Sequence, residues 1–116
     1  MKNIVILLLL FACSCATSKT VQSNPDKALS VSFNSIGSGI DYKALSALDK
    51  YIEQFQTAEK ITLAVTKNQR GKEGEQSYCI NLKPLKAAQQ TKFIDGAKQV
   101  LSSGKWVTVA EKEKCE

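Results

Sequence analysis

Thiol chemistry is the first possibility to consider, because the chain has four cysteines and no histidine. Cys13-Ser14-Cys15 has the C-x-C spacing of a metal or redox pair, whereas Cys79 and Cys115 lie far apart in the sequence. Without histidine, the C-x-C pair lacks the clustered ligand set of a typical zinc site. Cys79 and Cys115 form no C-x-x-C motif at a helix terminus that would lower a thiol pKa, so a catalytic dithiol is also disfavoured. We predict no metal site and no cofactor.

The N-terminus predicts an export signal. Residues 1–12 contain one lysine followed by an unbroken apolar run from Ile4 to Ala12, which is the pattern of a secretory signal peptide. The run is far shorter than the roughly 20 residues that a membrane-spanning helix needs. A buried core element is the alternative, and the position of the run at the extreme N-terminus beside a lysine disfavours it.

The end of the apolar run carries a recognisable motif. Leu10-Phe11-Ala12-Cys13 resembles the lipobox of bacterial lipoproteins, with an aliphatic residue three positions before the cysteine and a small residue just before it. The resemblance implies cleavage before Cys13, lipidation of its sulfur and acylation of the new amine. Phe11 departs from the pattern, in which a smaller residue is usual, so Cys15 remains a second candidate. Because each buried methylene contributes about 0.8 kcal/mol, two or three acyl chains would hold a small domain at a bilayer.

This resemblance sets the expected location. We expect an exported protein, anchored through its N-terminal lipid to a bacterial membrane, with its domain facing the periplasm or the cell exterior. Disulfides persist in such an oxidising setting, so we predict a bond between Cys79 and Cys115. Residues 13–27 are small, polar and without periodicity, which predicts a flexible tether between the anchor and a single domain at 28–116.

Composition disfavours two classes of function. The formal charge is +5, but the basic residues are not clustered with aromatic residues, so we expect no nucleic-acid partner. Catalysis is disfavoured because no histidine serves as a base, no two carboxylates are spaced to face one cleft, and no serine lies in a G-x-S-x-G elbow. We predict that the protein is not an enzyme.

The clearest local pattern lies between Leu29 and Thr57. Alternating apolar residues predict a strand at Ala28–Asn34. A glycine loop follows, and Asp41 is placed to cap a helix over Tyr42–Gln56 whose apolar residues share one side. After it, the patterns predict a second strand at Lys60–Lys67, a long mobile hairpin tip at Asn68–Gln76, a third strand at Ser77–Leu82, a helix within Pro84–Ser102, and a fourth strand at Lys105–Glu111.

The order strand-helix-strand-strand-helix-strand predicts an α+β, ferredoxin-like βαββαβ sandwich. Its strand order would be four-one-three-two, with both helices on one face. In that arrangement Cys115 can reach Cys79 by crossing the first strand. The fold by itself does not specify a function.

Two candidate binding sites follow from the arrangement. The sheet face opposite the helices would present a hydroxyl-rich, nearly uncharged surface: Ser30, Ser32, Asn34, Thr62, Ala64, Thr66, Ser77, Cys79, Asn81, Trp106 and Thr108. Trp106, flanked by Asn34 and Thr108, would anchor an envelope protein or polymer there, although an ordinary solvated face is the plainer interpretation. The alternative site is the loop with Gly37, Ser38 and Gly39, which would bind an anion or small molecule at the helix N-terminus. A tight strand-to-helix connection explains the same loop without a ligand.

Overall fold

The computed structural model of the chain describes residues 25–115, which form a four-stranded antiparallel sheet with two helices packed on one face. The elements are β1 (Ala28–Phe33), α1 (Tyr42–Glu59), β2 (Val65–Arg70), β3 (Glu75–Asn81), α2 (Ala87–Val100) and β4 (Val107–Lys112). The strand order is β2-β3-β1-β4. This is the ferredoxin-like fold, so the predicted fold class and strand order are confirmed. The lipobox-like residues, with Cys13 and Cys15, lie outside the described residues.

The core lies between the sheet and the helices. β1 is central and pairs antiparallel with β3 on one side and β4 on the other. Its inward side chains are therefore flanked by those of both neighbouring strands. The buried apolar cluster draws on every layer: Leu29, Val31, Phe33, Ile40, Ala44, Leu48, Ile52, Phe55, Leu63, Tyr78, Ile80, Leu82, Leu85, Phe93, Ile94, Ala97 and Leu101. Alternation along β1 and a period near 3.6 along the helices place these residues on the inner surfaces.

The hairpin between β2 and β3 differs from the prediction. β2 begins at Val65 instead of Lys60 and continues to Arg70, and the predicted mobile tip is reduced to a turn over 71–74. Gly71 and Gly74 both have positive φ, which closes the turn tightly. The polar residues before the turn belong to the edge strand, where side chains on both faces meet solvent.

Residues 61–64 precede β2, and the Ala64 carbonyl accepts from the Asn81 amide of β3 at 2.9 Å. Leu63 is buried, and its amide donates to the side-chain oxygen of Gln56 at 2.8 Å. The apolar alternation at Ile61 and Leu63 therefore reflects burial against α1, not membership of a strand. α1 itself runs three residues beyond the predicted Gln56, to Glu59, because nothing breaks the helix before Lys60 takes a left-handed conformation (φ 54°).

The fourth strand begins later than predicted. β4 starts at Val107, and Trp106 precedes it with a left-handed backbone (φ 59°). The strand alternation that placed Trp106 on the open sheet face therefore does not extend to it. Val107 and Val109 pack against the core.

The predicted disulfide is present. Cys79 and Cys115 are bonded, with their Cα atoms 5.7 Å apart and a sequence separation of 36. β1 lies between β4 and β3, so the tail after Lys112 crosses β1 on the face opposite the helices. Ala28 is 1% exposed although it alternates with the inward-facing Leu29. Among residues 25–115, no helix combines the length and apolarity needed to span a membrane.

Candidate functional site

Three connections meet at one end of the sheet, which we call the loop end. They are the glycine loop (34–41), the β2–β3 turn (71–74) and the α2–β4 connection (101–106). The contacts described below join each of them to at least one other. The opposite end, where residues 25–27 lead into β1 and the tail leaves β4, we call the terminal end.

The glycine loop is held by two carboxylates from the β2–β3 hairpin. The Glu73 carboxylate accepts from the Ser35 hydroxyl at 2.7 Å and from the Gly37 amide at 3.1 Å. The Glu75 carboxylate accepts from the Ser35 amide at 3.1 Å, and the Gly39 amide donates to the Ser35 hydroxyl oxygen at 2.9 Å. The amides that would hold an external anion are therefore engaged within the chain.

Asp41 occupies the N-terminus of α1 in the same way. One carboxylate oxygen accepts from the Ala44 amide at 3.0 Å, as predicted for a helix cap, and the other accepts from the Lys105 amide at 3.0 Å. These bonds, with the Lys105 bond the larger influence, hold the pKa of Asp41 below its ordinary value. The carboxylate thus ties α1 to the α2–β4 connection.

Asn34 fixes the bend at Trp106. The Asn34 backbone amide donates to the Trp106 carbonyl at 3.0 Å, and its side-chain amide donates to the same carbonyl at 3.2 Å. The same side chain lies 3.4 Å from the Thr108 hydroxyl. Asn34 therefore holds the Trp106 backbone in place, and Thr108 contacts the Asn34 side chain. The side chain of Trp106 remains exposed.

A cavity of about 590 Å³ opens between the start of α1 and the α2–β4 connection. Ile40, Ala44, Ala47 and Val100 supply its apolar lining. Tyr42 and Trp106 also border it. Gly104 is required beside it, because a Cβ there would lie 2.8 Å from Val107 and 3.2 Å from the Ala44 Cβ.

The loop end also carries the exposed large apolar side chains. Within residues 25–115 these are Ile36 (68% exposed), Tyr42 (58%) and Trp106 (57%). Ile36 lies between the two loop residues that Glu73 holds, and the Tyr42 hydroxyl lies against the turn, 2.9 Å from where a Cβ on Gly74 would stand. These three side chains make the loop end a candidate interaction site.

The structure brings the two predicted binding sites together. The glycine loop and Trp106 were assigned to separate sites, yet Ser38, Gly39 and Trp106 line one cavity. Sequence reasoning did not identify Glu73 as the partner of the loop or Ile36 as an exposed side chain. The sequence does show a carboxylate, Glu73, in a glycine-bearing turn. It gives no local indication that this carboxylate binds a residue 36 positions away.

The terminal end fixes the point where the chain enters the domain. Gln90 is buried (1% exposed), and its side-chain amide donates to the carbonyls of Pro25 at 2.8 Å and Leu82 at 2.9 Å. The Lys27 carbonyl accepts from the Leu82 amide at 2.9 Å. The last residues of the predicted tether are thus bound to the domain at the end opposite Ile36 and Trp106.

The sheet face opposite the helices is only partly open. Ser30, Ser32 and Ser77 lie on it half-buried, and the disulfide-linked tail crosses it near the terminal end. Thr62 and Ala64, predicted to lie on this face, precede β2. Within residues 25–115, no three Cys, Asp or Glu side chains are grouped to hold a metal ion.

No protein-family model and no curated protein matches the chain. Three solved structures are similar to it. The de novo designed protein Foldit4 has a TM-score of 0.47 at 15% identity, covering 77% of this chain and 98% of its own. The designed protein Ferredog-Diesel has a TM-score of 0.46 at 14% identity, covering 72% and 82%. The C-terminal domain of the MgtC protein from Mycobacterium tuberculosis has a TM-score of 0.46 at 14% identity, covering 82% and 95%. We base no functional argument on these similarities.

Proposed function

We propose that the chain is an exported lipoprotein whose domain binds or assembles with an envelope partner through its loop end. The observation that carries the proposal is the placement of Ile36, Tyr42 and Trp106 at the end opposite the entry of the N-terminal segment. β1 alone separates the two ends by about 20 Å, at roughly 3.3 Å per residue. An anchor at the N-terminus would leave the loop end facing away from the membrane.

The anchoring part of the proposal rests on the sequence. The signal-like residues 1–12 and the lipobox-like Leu10-Phe11-Ala12-Cys13 support removal of the leader and acylation of Cys13, with Cys15 as the second candidate. The intact mass of the protein from its native membranes, followed by peptide mapping, tests this. Palmitate or related acyl mass on Cys13 is expected; an unmodified N-terminus with residues 1–12 retained would contradict export and anchoring.

The binding part is tested by photo-crosslinking in cells. A photoreactive amino acid at Ile36 should give discrete adducts, whereas the same amino acid at Lys50, which is exposed on α1, should give none. Trp106→Ala should reduce the Ile36 adducts without changing the unfolding midpoint, since the Trp106 side chain is exposed. Equal adducts from both positions, or none from either, would contradict the loop end as the binding site.

The alternative function, an anion or small-molecule binder at Gly37–Asp41, has less support. The Gly37 and Gly39 amides are engaged by Glu73 and Ser35, and the Asp41 carboxylate occupies the start of α1. An external anion would have to displace one of these groups. An anion would also meet a carboxylate at the N-terminus that normally attracts it.

A further inference from the structure

The loop end combines a cavity of mixed polar and apolar lining with two lysines, Lys43 and Lys105, that form no ion pair within residues 25–115. If the proposed function is correct, we infer that its partner presents an acidic peptide segment with one large apolar side chain. The apolar side chain enters the cavity beside Trp106, and the acidic groups face Lys43 and Lys105.

The cavity is suited to a side chain. Its volume of about 590 Å³ lies within the range of roughly 300–1,000 Å³ that is typical of ligand pockets. Ala44 and Ala47 leave the space open because their side chains are short, and Ile40 and Val100 add apolar surface to a lining that also contains polar side chains. An inserted aromatic or aliphatic group would therefore exchange water for apolar contact.

Tyr42 and Trp106 stand at the margin of the cavity, where a bound peptide would pass. Their rings are more than half exposed in the unbound domain. Tyrosine and tryptophan contribute large contact area at little entropic cost, which is why they are enriched among the residues that dominate binding energy. An extended peptide segment could cover both rings, whereas a small ion could not.

The charges around the cavity favour an acidic segment. Lys43 and Lys105 line it, and neither takes part in an ion pair within the described part of the chain. The carboxylates at the same end already accept hydrogen bonds from backbone amides, namely those of Asp41, Glu73 and Glu75. Asp41 also lines the cavity and interacts with Lys105, but two lysines against one carboxylate leave the lining with a net positive charge, and complementary charge would orient an acidic partner.

A peptide fits these features better than a lipid surface does. Exposed aromatic and basic side chains also occur where proteins rest on anionic membranes. A bilayer is broad and flat, however, and would cover the margin without filling the space lined by Ala44 and Ala47. A single protruding side chain reaches that lining.

The test is selection from a random peptide phage library on the protein purified from its native membranes. The protein is held in phosphatidylcholine nanodiscs, so that its N-terminal segment is shielded. Selected peptides should carry Asp or Glu on both sides of a large apolar residue. Selected peptides without tryptophan, made synthetically, should shift the emission of Trp106 to shorter wavelength. With a scaffold protein that also lacks tryptophan, this signal reports on Trp106 alone, because the chain has one tryptophan.

The variant Lys43→Gln/Lys105→Gln should weaken peptide binding roughly fivefold and reduce its salt dependence, as expected for two exposed ion pairs. Lys50→Gln/Lys112→Gln is the matched control and should bind like the unmodified chain. Selected peptides without acidic residues, or binding that Lys43→Gln/Lys105→Gln leaves unchanged, would overturn the acidic partner while leaving the loop end as a binding surface.

Two other outcomes would overturn the inference in different ways. Selection of no peptide, combined with a Trp106 shift when phosphatidylglycerol replaces phosphatidylcholine in the discs, would identify the loop end as a membrane contact. Selection of no peptide and no lipid response would remove the acidic segment as the ligand. The proposed function is judged separately by the crosslinks from Ile36, which require no assumption about the charge of the partner.

Discussion

The Ser35 hydroxyl donates a 2.7 Å hydrogen bond to the Glu73 carboxylate, and this contact joins the glycine loop to the β2–β3 turn. The same carboxylate accepts from the Gly37 amide. A glycine loop between a strand and a helix is a familiar place for an external anion, but here a side chain from the hairpin takes that position. The loop is therefore a structural joint that presents Ile36 and supports the cavity beside it.

Removing this carboxylate should open the loop to external anions. In Glu73→Ala, the Gly37 amide loses its carboxylate acceptor and keeps the Ser35 hydroxyl at 3.2 Å, and we expect its NMR resonance to shift and then to respond to added phosphate. The unmodified chain should show no response at Gly37 or Gly39. Glu113→Ala, which removes an exposed carboxylate from the tail, serves as the control. A phosphate response in the unmodified chain would instead restore the anion-binding alternative.

The disulfide should contribute substantially to stability. Closing the loop between Cys79 and Cys115, with a sequence separation of 36, is worth about 4 kcal/mol in the chain-entropy model. Cys115→Ser should lower the free energy of unfolding by roughly that amount in urea titrations, a large fraction of the total for a small domain. A reducing agent should bring the unmodified chain to the stability of the variant.

The control for this prediction is Lys114→Ser, which changes the tail but keeps the bond and should be nearly neutral. Because the disulfide holds the tail across β1, Cys115→Ser should also increase amide hydrogen exchange at the start of β1. A loss of less than about 1 kcal/mol would show that the tail is held on the sheet by other contacts, or that the unfolded chain retains structure.

Asp41 should make stability depend on acid pH. Its pKa is lowered in the folded state by the amides of Lys105 and Ala44. A carboxyl with a depressed folded pKa stabilises the fold above its unfolded pKa, near 3.8, and this contribution is lost as pH falls through the folded value. Asp41→Asn should therefore unfold at a lower urea concentration than the unmodified chain at pH 7, and the difference should shrink towards pH 2.

Asp95→Asn provides the comparison, because Asp95 is exposed on α2. Its effect on the unfolding midpoint should be small at pH 7. If the difference between Asp41→Asn and the unmodified chain stayed constant from pH 7 to pH 2, the charge of Asp41 would not be the source of its effect.

Sequence patterns predicted the sheet and both helices because those elements bury one face each. Leu29, Val31 and Phe33 alternate in a strand with one buried face, and the strand order follows from two right-handed crossovers. The disulfide could then be placed by topology, since the tail after β4 has to cross only β1 to reach Cys79. The alternation that marks a buried face and the order of the elements can both be read directly from the sequence.

The loop end was predicted less well because polar contacts between distant residues determine it. Nothing near Trp106 in the sequence indicates a left-handed residue, and Asn34, which holds its carbonyl, is 72 positions away. The charged residues up to Arg70 resemble a loop, yet they form an edge strand because β3 supplies their backbone partners. Sequence reasoning named Ser38, Gly39 and Trp106 as site residues, but not their joint placement around one cavity.

The contact between Tyr51 and Gly96 predicts that Gly96→Ala destabilises the domain when Tyr51 is present but not when Tyr51 is replaced by leucine. Gly96 lies inside α2, where alanine would ordinarily add about 1 kcal/mol of stability. A Cβ at that position would lie 2.7 Å from the Cζ of Tyr51, whose hydroxyl donates to the Phe93 carbonyl at 3.0 Å. Gly96 therefore permits the close approach of α2 to α1.

Gly96→Ala should therefore destabilise the domain by about 1–2 kcal/mol, since overpacking costs roughly 1–3 kcal/mol and the gain in helix propensity offsets part of it. In a Tyr51→Leu background the obstruction is gone, and the same substitution should become neutral or stabilising. Urea unfolding of the four chains of this double-mutant cycle measures the coupling directly. Ala88→Gly, at an exposed position of α2, calibrates the propensity contribution alone. Equal effects of Gly96→Ala in both backgrounds would mean that the two helices can separate to admit the methyl group, and that Tyr51 does not require a glycine at position 96.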